Sequence, residues 1–342
     1  MAAAPSSRIA AWVQRQWWRR PPTAGARLMQ PLSWLYATLA AWHRQHTPAG
    51  PAPGVPVVVV GNLIAGGAGK TPTVIALVRL LRDAGWTPGV ISRGYGRQAA
   101  GTAPVRADRP AAETGDEPLL IHLRTGAPVW VGRDRVAALQ ALRQAHPQVD
   151  IVVSDDGLQH HRLPRDAQVI VFDERGAGNG LLLPAGPLRE PLPGEVPPRS
   201  LVLYNAAAAS TPLPGWTAQR RLAGATALAD WWAGAPAQPW SALLGRPVLA
   251  TAGIAAPERF FTMLEREGLS IRRLPLPDHH GFAELPWPPG TADVVLTEKD
   301  AVKLRPERLA GAPRVWVATL DFEPPPGFAA ALSALLPPPP TP

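Results

Sequence analysis

Residues 55–73 read VPVVVVGNLIAGGAGKTPT, a run of β-branched residues followed by glycines, a lysine and a threonine. The run predicts a buried strand, and the apolar residues at helical spacing after Lys70 predict a helix. A strand, a glycine-rich turn and a helix N-terminus together are typical of a phosphate-binding loop. We therefore predict that a nucleotide is bound by the residues of this loop, which are Ile64, Ala65, Gly66, Gly67, Ala68, Gly69, Lys70 and Thr71.

Two side chains of this loop carry specific chemistry. Lys70 can reach the β- and γ-phosphates of a nucleotide, and the Thr71 hydroxyl can ligate Mg²⁺. The loop departs from the pattern GxxxxGK[ST], because Ile64 stands where the first glycine is expected. The alternative interpretation is a strand-to-helix turn that binds nothing. The coincidence of strand, glycines, Lys-Thr and helix favours the nucleotide loop.

The composition of the chain narrows the classes of function. With 342 residues the chain is long enough for two domains. It contains no cysteine, which excludes a disulfide framework, a cysteine metal site and a thiol nucleophile. The formal net charge of +8 favours phosphorylated ligands and acidic membrane surfaces, and we expect no nucleic-acid partner. No apolar run is long enough to span a bilayer, and we expect no cleavable signal.

Residues 1–50 are rich in tryptophan and arginine and differ from the rest of the chain. Residues 8–20, RIAAWVQRQWWRR, and residues 31–45, PLSWLYATLAAWHRQ, predict two short amphipathic helices. The apolar stripe of the second is formed by Leu28, Leu32, Leu35, Leu39 and Trp42. Basic, Trp-rich helices of this length predict a surface that lies in the membrane interface. The alternative is that the stripe packs on the nucleotide domain.

Short apolar strands alternate with helices over residues 51–210. Strands are predicted at 55–60, 89–92, 129–131, 150–154, 168–172 and 201–204, and helices at 70–83, 117–124 and 134–144. This order predicts an α/β fold of P-loop NTPase type, with a largely parallel sheet covered on both faces.

The remaining chain predicts a second, smaller unit. Residues 211–245 predict an extended β linker or hairpin, and residues 246–336 a C-terminal α/β domain. Its strands are predicted at 247–250, 293–297 and 314–318, and its helices at 257–268 and 326–336. The proline-rich residues 337–342 predict a disordered tail.

Polar side chains follow a predicted buried strand at residues 155–160. Ligands of parallel sheets bind at the carboxyl ends of the strands. Asp155 and Asp156 therefore suit the acidic Mg²⁺ element of an NTPase, and the alternative is a pair of aspartates in a solvated turn. Gln159 and His160 follow at the same strand end, where they can contact substrate or support the site.

Two further segments present basic side chains. Ser92 and Arg93 begin SRGYGR, which suits an anionic ligand near the loop or forms a solvated turn. Arg189 and Glu190 lie in the stiff segment LPAGPLREP. Arg189 can bind phosphate with both ends of its guanidinium group, and the alternative is a surface ion pair with Glu190.

Three acidic motifs remain open to more than one interpretation. Asp116, in GDEP, can cap the helix that follows or act as a general base for a hydroxyl nucleophile. Asp278, His279 and His280 suit a metal site or a hydrogen-bonded acid–base dyad, although no third well-spaced ligand is evident. The turn TEKD at residues 297–300 predicts a helix cap with a structural role.

Taken together, the motifs resemble the tetraacyldisaccharide 4′-kinases, which make lipid A. The resemblance runs in order from residue 31 to about residue 303. It rests on PLSWLY, VPVVVVGNL…GGAGKTP, SRGYGR, GDEP, DDGLQHHRL, GNG…LPAGPLREP, AGI…P.RFF, DHH and TEKDAVK. The family itself lacks the first glycine of the strict loop pattern, so Ile64 fits it.

The resemblance implies two α/β/α domains joined by a β linker, with the site in the cleft between them. It implies ATP- and Mg²⁺-dependent phosphorylation of a hydroxyl of an acylated glucosamine disaccharide 1-phosphate, at the cytoplasmic face of the inner membrane. Asp116 would be the base and His279 its partner, although His280 stays open as the alternative. Lys70 would hold the phosphates. Mg²⁺ would be ligated by Thr71 and Asp156, with Asp155. Supporting contacts would come from Arg135, Gln159, His160, Arg189 and Glu190.

A second class of function also suits the loop. A membrane-associated NTPase switch would hydrolyse nucleotide without lipid and respond to a protein partner, whereas a lipid kinase needs its acceptor. We expect the kinase, acting as a peripheral membrane protein and as a monomer.

Overall fold

The computed structural model describes residues 12–97, 99–309 and 313–340, and within them the strands form two sheets. The first part of the helix predicted from residue 8 and the last two residues of the predicted tail lie outside these ranges. The first sheet has the order β3-β4-β2-β5-β1-β6-β7-β8. Its strands are β1 (Val57–Gly61), β2 (Pro88–Ser92), β3 (Ala103–Pro104), β4 (Val129–Val131), β5 (Ile151–Asp155), β6 (Ala167–Asp173), β7 (Ser200–Asn205) and β8 (Trp216–Thr217).

All neighbouring strands of this sheet are parallel except β3, which runs antiparallel to β4. Every residue of β1, β5 and β7 is buried, as expected for parallel strands covered on both faces. Residues 12–17, the described part of the helix predicted from residue 8, are helical. The further helices of this half are α1 (Ala24–Leu28), α2 (Gln30–His46), α3 (Lys70–Asp83), α4 (Ala111–Thr114), α5 (Asp116–Thr125) and α6 (Arg135–Ala145). The predicted strands and helices of residues 51–210 are confirmed to within a few residues.

The second sheet has the order β11-β10-β12-β13-β9. Its strands are β9 (Gln219–Ala227), β10 (Val248–Ala252), β11 (Ile271–Pro275), β12 (Asp293–Thr297) and β13 (Arg314–Glu323). Its helices are α7 (Leu228–Trp232), α8 (Pro257–Arg266), α9 (Glu298–Ala301) and α10 (Pro326–Leu335), and two short 3₁₀ turns lie at Trp240–Ala242 and Pro306–Leu309. The predicted α/β pattern of this half is confirmed, but the sequence analysis missed β11 and α7.

The segment between the two halves takes part in both sheets. β8 adds an edge to the first sheet, while β9 pairs antiparallel with β13 in the second. α10 then returns to the first sheet, where Phe328 packs edge-on against Trp216 with the ring centroids 5.7 Å apart. As a result, one cluster of buried apolar residues includes both Val58 of β1 and Val317 of β13.

The predicted apolar stripe is exposed, with Leu28 at the end of α1 and its other residues on α2. Leu28, Leu32, Leu35, Leu39 and Trp42 are each more than half exposed. The opposite side of the helix contacts the segment at residues 182–190 through polar groups. Ser33 Oγ donates to the Leu182 carbonyl at 2.8 Å, and Tyr36 Oη donates to the Arg189 carbonyl at 2.9 Å. The alternative in which the stripe packs on the nucleotide domain is therefore wrong.

Candidate active site

The phosphate-binding loop connects β1 to α3, as predicted. Gly69 is the N-cap of α3 and has a left-handed backbone with φ of 83°. An added Cβ atom there would lie 1.5 Å from Nδ2 of Asn205. That amide donates to the Ala68 carbonyl at 3.2 Å and so holds the loop against the end of β7. Glycine is required at this position by both the backbone angle and the close approach.

A second segment fastens the start of the loop. Ile64 is fully buried and forms a β-bridge with Leu188. The Ala65 N–H donates to the Pro187 carbonyl at 2.7 Å, and the Arg189 N–H donates to the Leu63 carbonyl at 2.7 Å. Ile64 therefore serves packing, which explains why its position does not need a glycine.

Lys70 points back along the loop towards the acidic strand end. Its Nζ lies 3.3 Å from Asn62 Oδ1 and 3.4 Å from Asp156 Oδ1. Asn62 also donates to the Gly66 carbonyl at 3.0 Å. Neither Asn62 nor Asn205 was singled out in the sequence, because a single asparagine beside a glycine-rich loop leaves no pattern of its own.

The two aspartates at the end of β5 have different environments. Asp156 faces Lys70 and Arg189, each at 3.4 Å. Burial acts to raise the pKa of Asp156, but these cations outweigh it and the pKa lies below its ordinary value. Asp155 is buried and accepts a 2.8 Å hydrogen bond from Ser92 Oγ. Burial, then repulsion from Glu117 and Asp156, raises the pKa of Asp155 to about 7.

The donor set near the loop suits a hard cation. Oδ1 of Asp155 is buried, and within the described residues it has no hydrogen-bond partner. Together with Asp156 and the Thr71 hydroxyl it offers oxygen ligands of the kind that Mg²⁺ prefers. Over residues 12–97, 99–309 and 313–340, no group of three or more His, Asp or Glu side chains forms a metal cluster. A metal site at Asp278, His279 and His280 is therefore not supported. A cation shared between carboxylates and the phosphates of a nucleotide fits Asp155, Asp156 and Thr71 instead.

Arg189 lies at the centre of a polar network. Its NH1 donates to Gln159 Oε1 at 3.1 Å in addition to its contact with Asp156. Gln159 in turn donates to Glu190 Oε1 at 3.0 Å, and Glu190 pairs with Arg44 of α2 at 3.2 Å. Arg189 and Glu190 therefore have different ionic partners, and the predicted alternative of a pair between them is wrong. The network connects the phosphate site to the helix with the exposed apolar stripe.

Arg135 and His160 support the same strand end. Arg135 is buried at the start of α6 and donates to the Asp156 carbonyl at 3.2 Å. Burial lowers the pKa of Arg135 to about 10, and burial with the nearby Arg135 lowers the pKa of His160 to about 4. Nε2 of His160 is buried with no hydrogen-bond partner among the described residues. Arg93 is exposed and close enough to contribute to the lowered pKa of Arg135, and within the described residues its side chain has no hydrogen bond or ion pair.

Asp116 contacts a histidine from the other half of the chain. Asp116 is the first residue of α5, and the N-cap is Gly115, so the helix-cap alternative for Asp116 is wrong. Its Oδ2 lies 3.1 Å from Nδ1 of His279. Nδ1 of His280 instead accepts the Phe282 N–H at 3.2 Å. The structure therefore selects His279 as the partner of Asp116, from the two histidines that the sequence left open.

Helix α5, which begins with Asp116, forms two further ion pairs with the other half of the chain. Lys299 Nζ lies 2.6 Å from Glu117 Oε1, and Arg124 NH1 lies 2.5 Å from Glu298 Oε2. Thr297 caps α9 by accepting the Asp300 N–H at 3.2 Å, as predicted. The residues of TEKD thus cap a helix and also form ion pairs with helix α5 of the other half, which the sequence alone did not indicate.

A cleft of about 240 Å³ lies between the two sheets beside the loop. Lys70, Thr71 and Glu117 line one wall, and Lys299 and Arg259 line the other. A glycine-rich loop at a helix N-terminus, a carboxylate pair beside its lysine and an Asp–His pair that joins the two halves of the chain define a nucleotide-dependent phosphotransferase of the P-loop class.

Comparison with known proteins gives the family. The model of the family LpxK, tetraacyldisaccharide-1-P 4′-kinase, matches residues 25–337, and the chain belongs to this family. A tetraacyldisaccharide 4′-kinase of Methylibium petroleiphilum is 56% identical over 342 residues, covering 96% of this chain and 94% of that protein. One from Leptothrix cholodnii is 59% identical over 289 residues, covering 83% of each.

A solved structure shares the fold. The crystal structure of LpxK from Aquifex aeolicus in complex with ATP superposes with a TM-score of 0.75 at 24% identity. The match covers 91% of this chain and 99% of that chain. The predicted α/β class with a P-loop kinase fold is thereby confirmed.

Proposed function

We propose that this chain transfers the γ-phosphate of ATP to the 4′-hydroxyl of a tetraacylated glucosamine disaccharide 1-phosphate, the precursor of lipid A. Family membership supports the activity, and one observation supports the site. The Asp116–His279 contact of 3.1 Å lies next to Glu117, which lines the same cleft as Lys70 and Thr71. A base beside the phosphate loop is what transfer to a hydroxyl requires.

The proposed chemistry assigns the proton and the bonds as follows. Asp116 takes the proton of the 4′-hydroxyl while the oxygen of that hydroxyl forms a bond to the γ-phosphorus. The bond from the γ-phosphorus to the bridging oxygen breaks, and ADP leaves. His279 orients the Asp116 carboxylate through Nδ1, which lies 3.1 Å from Oδ2. Exclusion of water from the cleft prevents hydrolysis from competing with transfer.

Charged side chains of the loop and of β5 hold the nucleotide in this proposal. Lys70 contacts the phosphates, and backbone N–H groups of residues 64–71 surround them. Thr71, Asp156 and Asp155 hold Mg²⁺, which neutralises charge on the phosphates when it is bound. Supporting contacts come from residues around this centre, namely Ser92, Arg93, Arg135, Gln159, His160, Arg189 and Glu190.

The proposed activity is tested with γ-labelled ATP, Mg²⁺ and the acylated disaccharide 1-phosphate in detergent micelles. The wild-type chain should place label in the lipid as a new phosphomonoester. Lys70→Ala should nearly abolish turnover, because the variant loses the cation that faces Asp156 at 3.4 Å in the phosphate site. A Lys70→Ala variant with near-normal rate would remove the loop from the mechanism.

We also propose that the chain forms two domains, at residues 51–210 and 246–336, joined by residues 211–245, whose strands β8 and β9 extend the first and the second sheet. Domain closure would bring His279 to Asp116, as in the 3.1 Å contact of this structure, because the two residues come from different halves of the chain. The ion pair of Lys299 with Glu117 supports the closed arrangement. A spectroscopic distance between the domains should shorten on addition of an ATP analogue and lipid, and an unchanged distance would argue against closure.

The exposed stripe of α2 supports a peripheral position on the cytoplasmic face of the inner membrane. No helix in the described part of the chain is both long and apolar enough to cross a bilayer. Leucine and tryptophan side chains on a helix of a chain with net charge +8 suit an anionic interface instead. The polar network from Arg44 to Arg189 would place the catalytic cleft near that surface.

Vesicle flotation tests this membrane contact. The wild-type chain should float with vesicles that contain anionic lipid. A variant with Leu32→Ser, Leu35→Ser and Leu39→Ser should lose most of this binding, because the stripe would no longer be apolar. Leu244→Ser is the matched control, since Leu244 is an exposed leucine of the other half. Equal flotation of all three proteins would contradict the proposal.

A further inference from the structure

A buried lysine faces the same carboxylate oxygen as His279. Lys303 follows α9, and its Nζ lies 3.7 Å from Asp116 Oδ2 and 3.2 Å from Asp300 Oδ1. The Lys303 side chain is only 8% exposed. A lysine so deeply buried needs counter-charges, and here one comes from each half of the chain.

Asp300 fixes both donors that reach Asp116. Its side chain is fully buried, and its Oδ2 accepts the Gly253 N–H at 3.0 Å and the Thr297 hydroxyl at 2.7 Å. The Gly253 carbonyl accepts the His279 N–H at 3.1 Å. Asp300 thus holds Lys303 directly and the backbone of His279 through Gly253.

The second histidine of the motif Asp-His-His, His280, supports an aromatic ring that faces Lys303. His280 Nδ1 accepts the Phe282 N–H at 3.2 Å, and its ring packs edge-on against that of Phe282 at 4.7 Å. Lys303 Nζ lies 5.9 Å from the centre of the Phe282 ring, within reach of a cation–π contact. His280 therefore supports the ring that faces Lys303, while His279 contacts Asp116.

We propose that Lys303, held by Asp300, is a positioning residue that fixes the Asp116 carboxylate for proton transfer. His279 and Lys303 both approach Oδ2, so the carboxylate cannot rotate without breaking both contacts. The orientation of Oδ1 towards the acceptor hydroxyl is then set by His279 and Lys303, two groups from the second half of the chain. This inference rests on the proposed kinase function and adds a residue to it.

Kinetics of three variants test this role in the labelled-ATP assay. Lys303→Met keeps the packing of the stem and removes the charge. We expect it to lower kcat about 30-fold, part of the roughly 10²–10⁴-fold that a positioned general base supplies. KM for ATP should stay within about threefold, because Lys303 does not contact the phosphate loop. Lys303→Arg should recover part of kcat, since the charge is restored.

A double variant separates positioning from a merely structural role. In a His279→Ala background, Lys303→Met should lower kcat by less than about threefold, because both residues act through Asp116. Independent, multiplicative losses would overturn the proposal, as would an unchanged kcat in Lys303→Met. If Lys303→Met fails to fold, Lys303→Gln, which keeps a hydrogen-bond donor, replaces it with the same expected pattern.

The matched control is Arg305→Met. Arg305 also joins the two halves, since its NH2 donates to the Arg109 carbonyl at 2.7 Å, but it does not contact Asp116. Its kcat should stay within about twofold of the wild type, and an equal loss in both variants would assign the effect to the interface. Absence of transfer by the wild-type chain would instead refute the proposed function, so the two failures are distinguishable.

Discussion

The buried pair of Arg124 and Glu298 should dominate the attachment of the second sheet to α5. The two side chains are only 13% and 7% exposed, and both Glu298 oxygens lie 2.5 Å from Arg124 NH1. The carboxylate also accepts the indole N–H of Trp231 at 3.3 Å and the backbone N–H of Leu320 at 3.1 Å. Glu298→Gln keeps the shape but leaves Arg124 without a counter-charge.

The expected loss follows from these contacts. Breaking one partner of a buried ion pair costs about 3–5 kcal/mol, because the other charge stays desolvated. Glutamine retains one acceptor oxygen, so we expect the lower end, about 3 kcal/mol in the free energy of unfolding. Replacing both partners, as Arg124→Met with Glu298→Gln, should cost less than Glu298→Gln alone, since no unpaired charge stays buried and the glutamine oxygen still accepts a hydrogen bond.

Urea denaturation followed by tryptophan fluorescence measures this difference in the free energy of unfolding. Glu323→Gln is the matched control. Glu323 pairs with Arg221 at 2.9 Å on the surface, so its loss should stay below about 0.5 kcal/mol. A Glu298→Gln variant as stable as this control would refute the reasoning.

Two further predictions concern the nucleotide site. Gly69→Ala should weaken ATP binding more than tenfold in a nucleotide titration, because the new Cβ would meet Asn205 Nδ2 at 1.5 Å and the backbone φ of 83° is strained for alanine; an affinity within threefold of the wild type would contradict this. For His160, burial and then Arg135 lower the pKa from about 6.5 to about 4. Because the folded state holds this ring neutral, its contribution to the free energy of unfolding is complete above pH ~6.5. The contribution is lost as the pH falls towards 4. His160→Gln should flatten the loss of stability between these pH values in denaturation at stepped pH, and an unchanged slope would remove His160 as its source.

Local patterns in the sequence predict the bounds of several strands and helices in both halves of the chain. Helix α3 has the predicted bounds, Lys70–Asp83, because its apolar spacing begins directly after the glycine loop. Strands β4 and β12 also have the predicted bounds. By contrast, β11 reads IRRLP, and its two arginines are exposed at the edge of the sheet. Its strand character comes from pairing with β10, which the segment alone does not indicate.

In the site, likewise, local motifs identify some residues, whereas contacts between residues far apart in the chain determine the roles of others. The loop and the aspartates after β5 are predicted from local motifs, whereas the pair of Asp116 with His279 is implied only by the family resemblance, which leaves His280 open. The roles that sequence left open depended on which distant groups meet. Arg189 contacts Asp156 across the site, and Lys303 reaches Asp116 from the other sheet. Such contacts join residues that are far apart in the chain, so no spacing in the sequence records them.

The most direct test of the central claim is product analysis with an Asp116→Ala variant beside the wild type. Both proteins are incubated with γ-labelled ATP, Mg²⁺ and the acylated disaccharide 1-phosphate, and ATP binding is measured in parallel. The wild type should form labelled lipid, while the variant should bind ATP normally and transfer about 10²–10⁴-fold more slowly. Free labelled phosphate without labelled lipid would indicate an NTPase switch and contradict the kinase. A variant that keeps most of its transfer rate would remove Asp116 as the base.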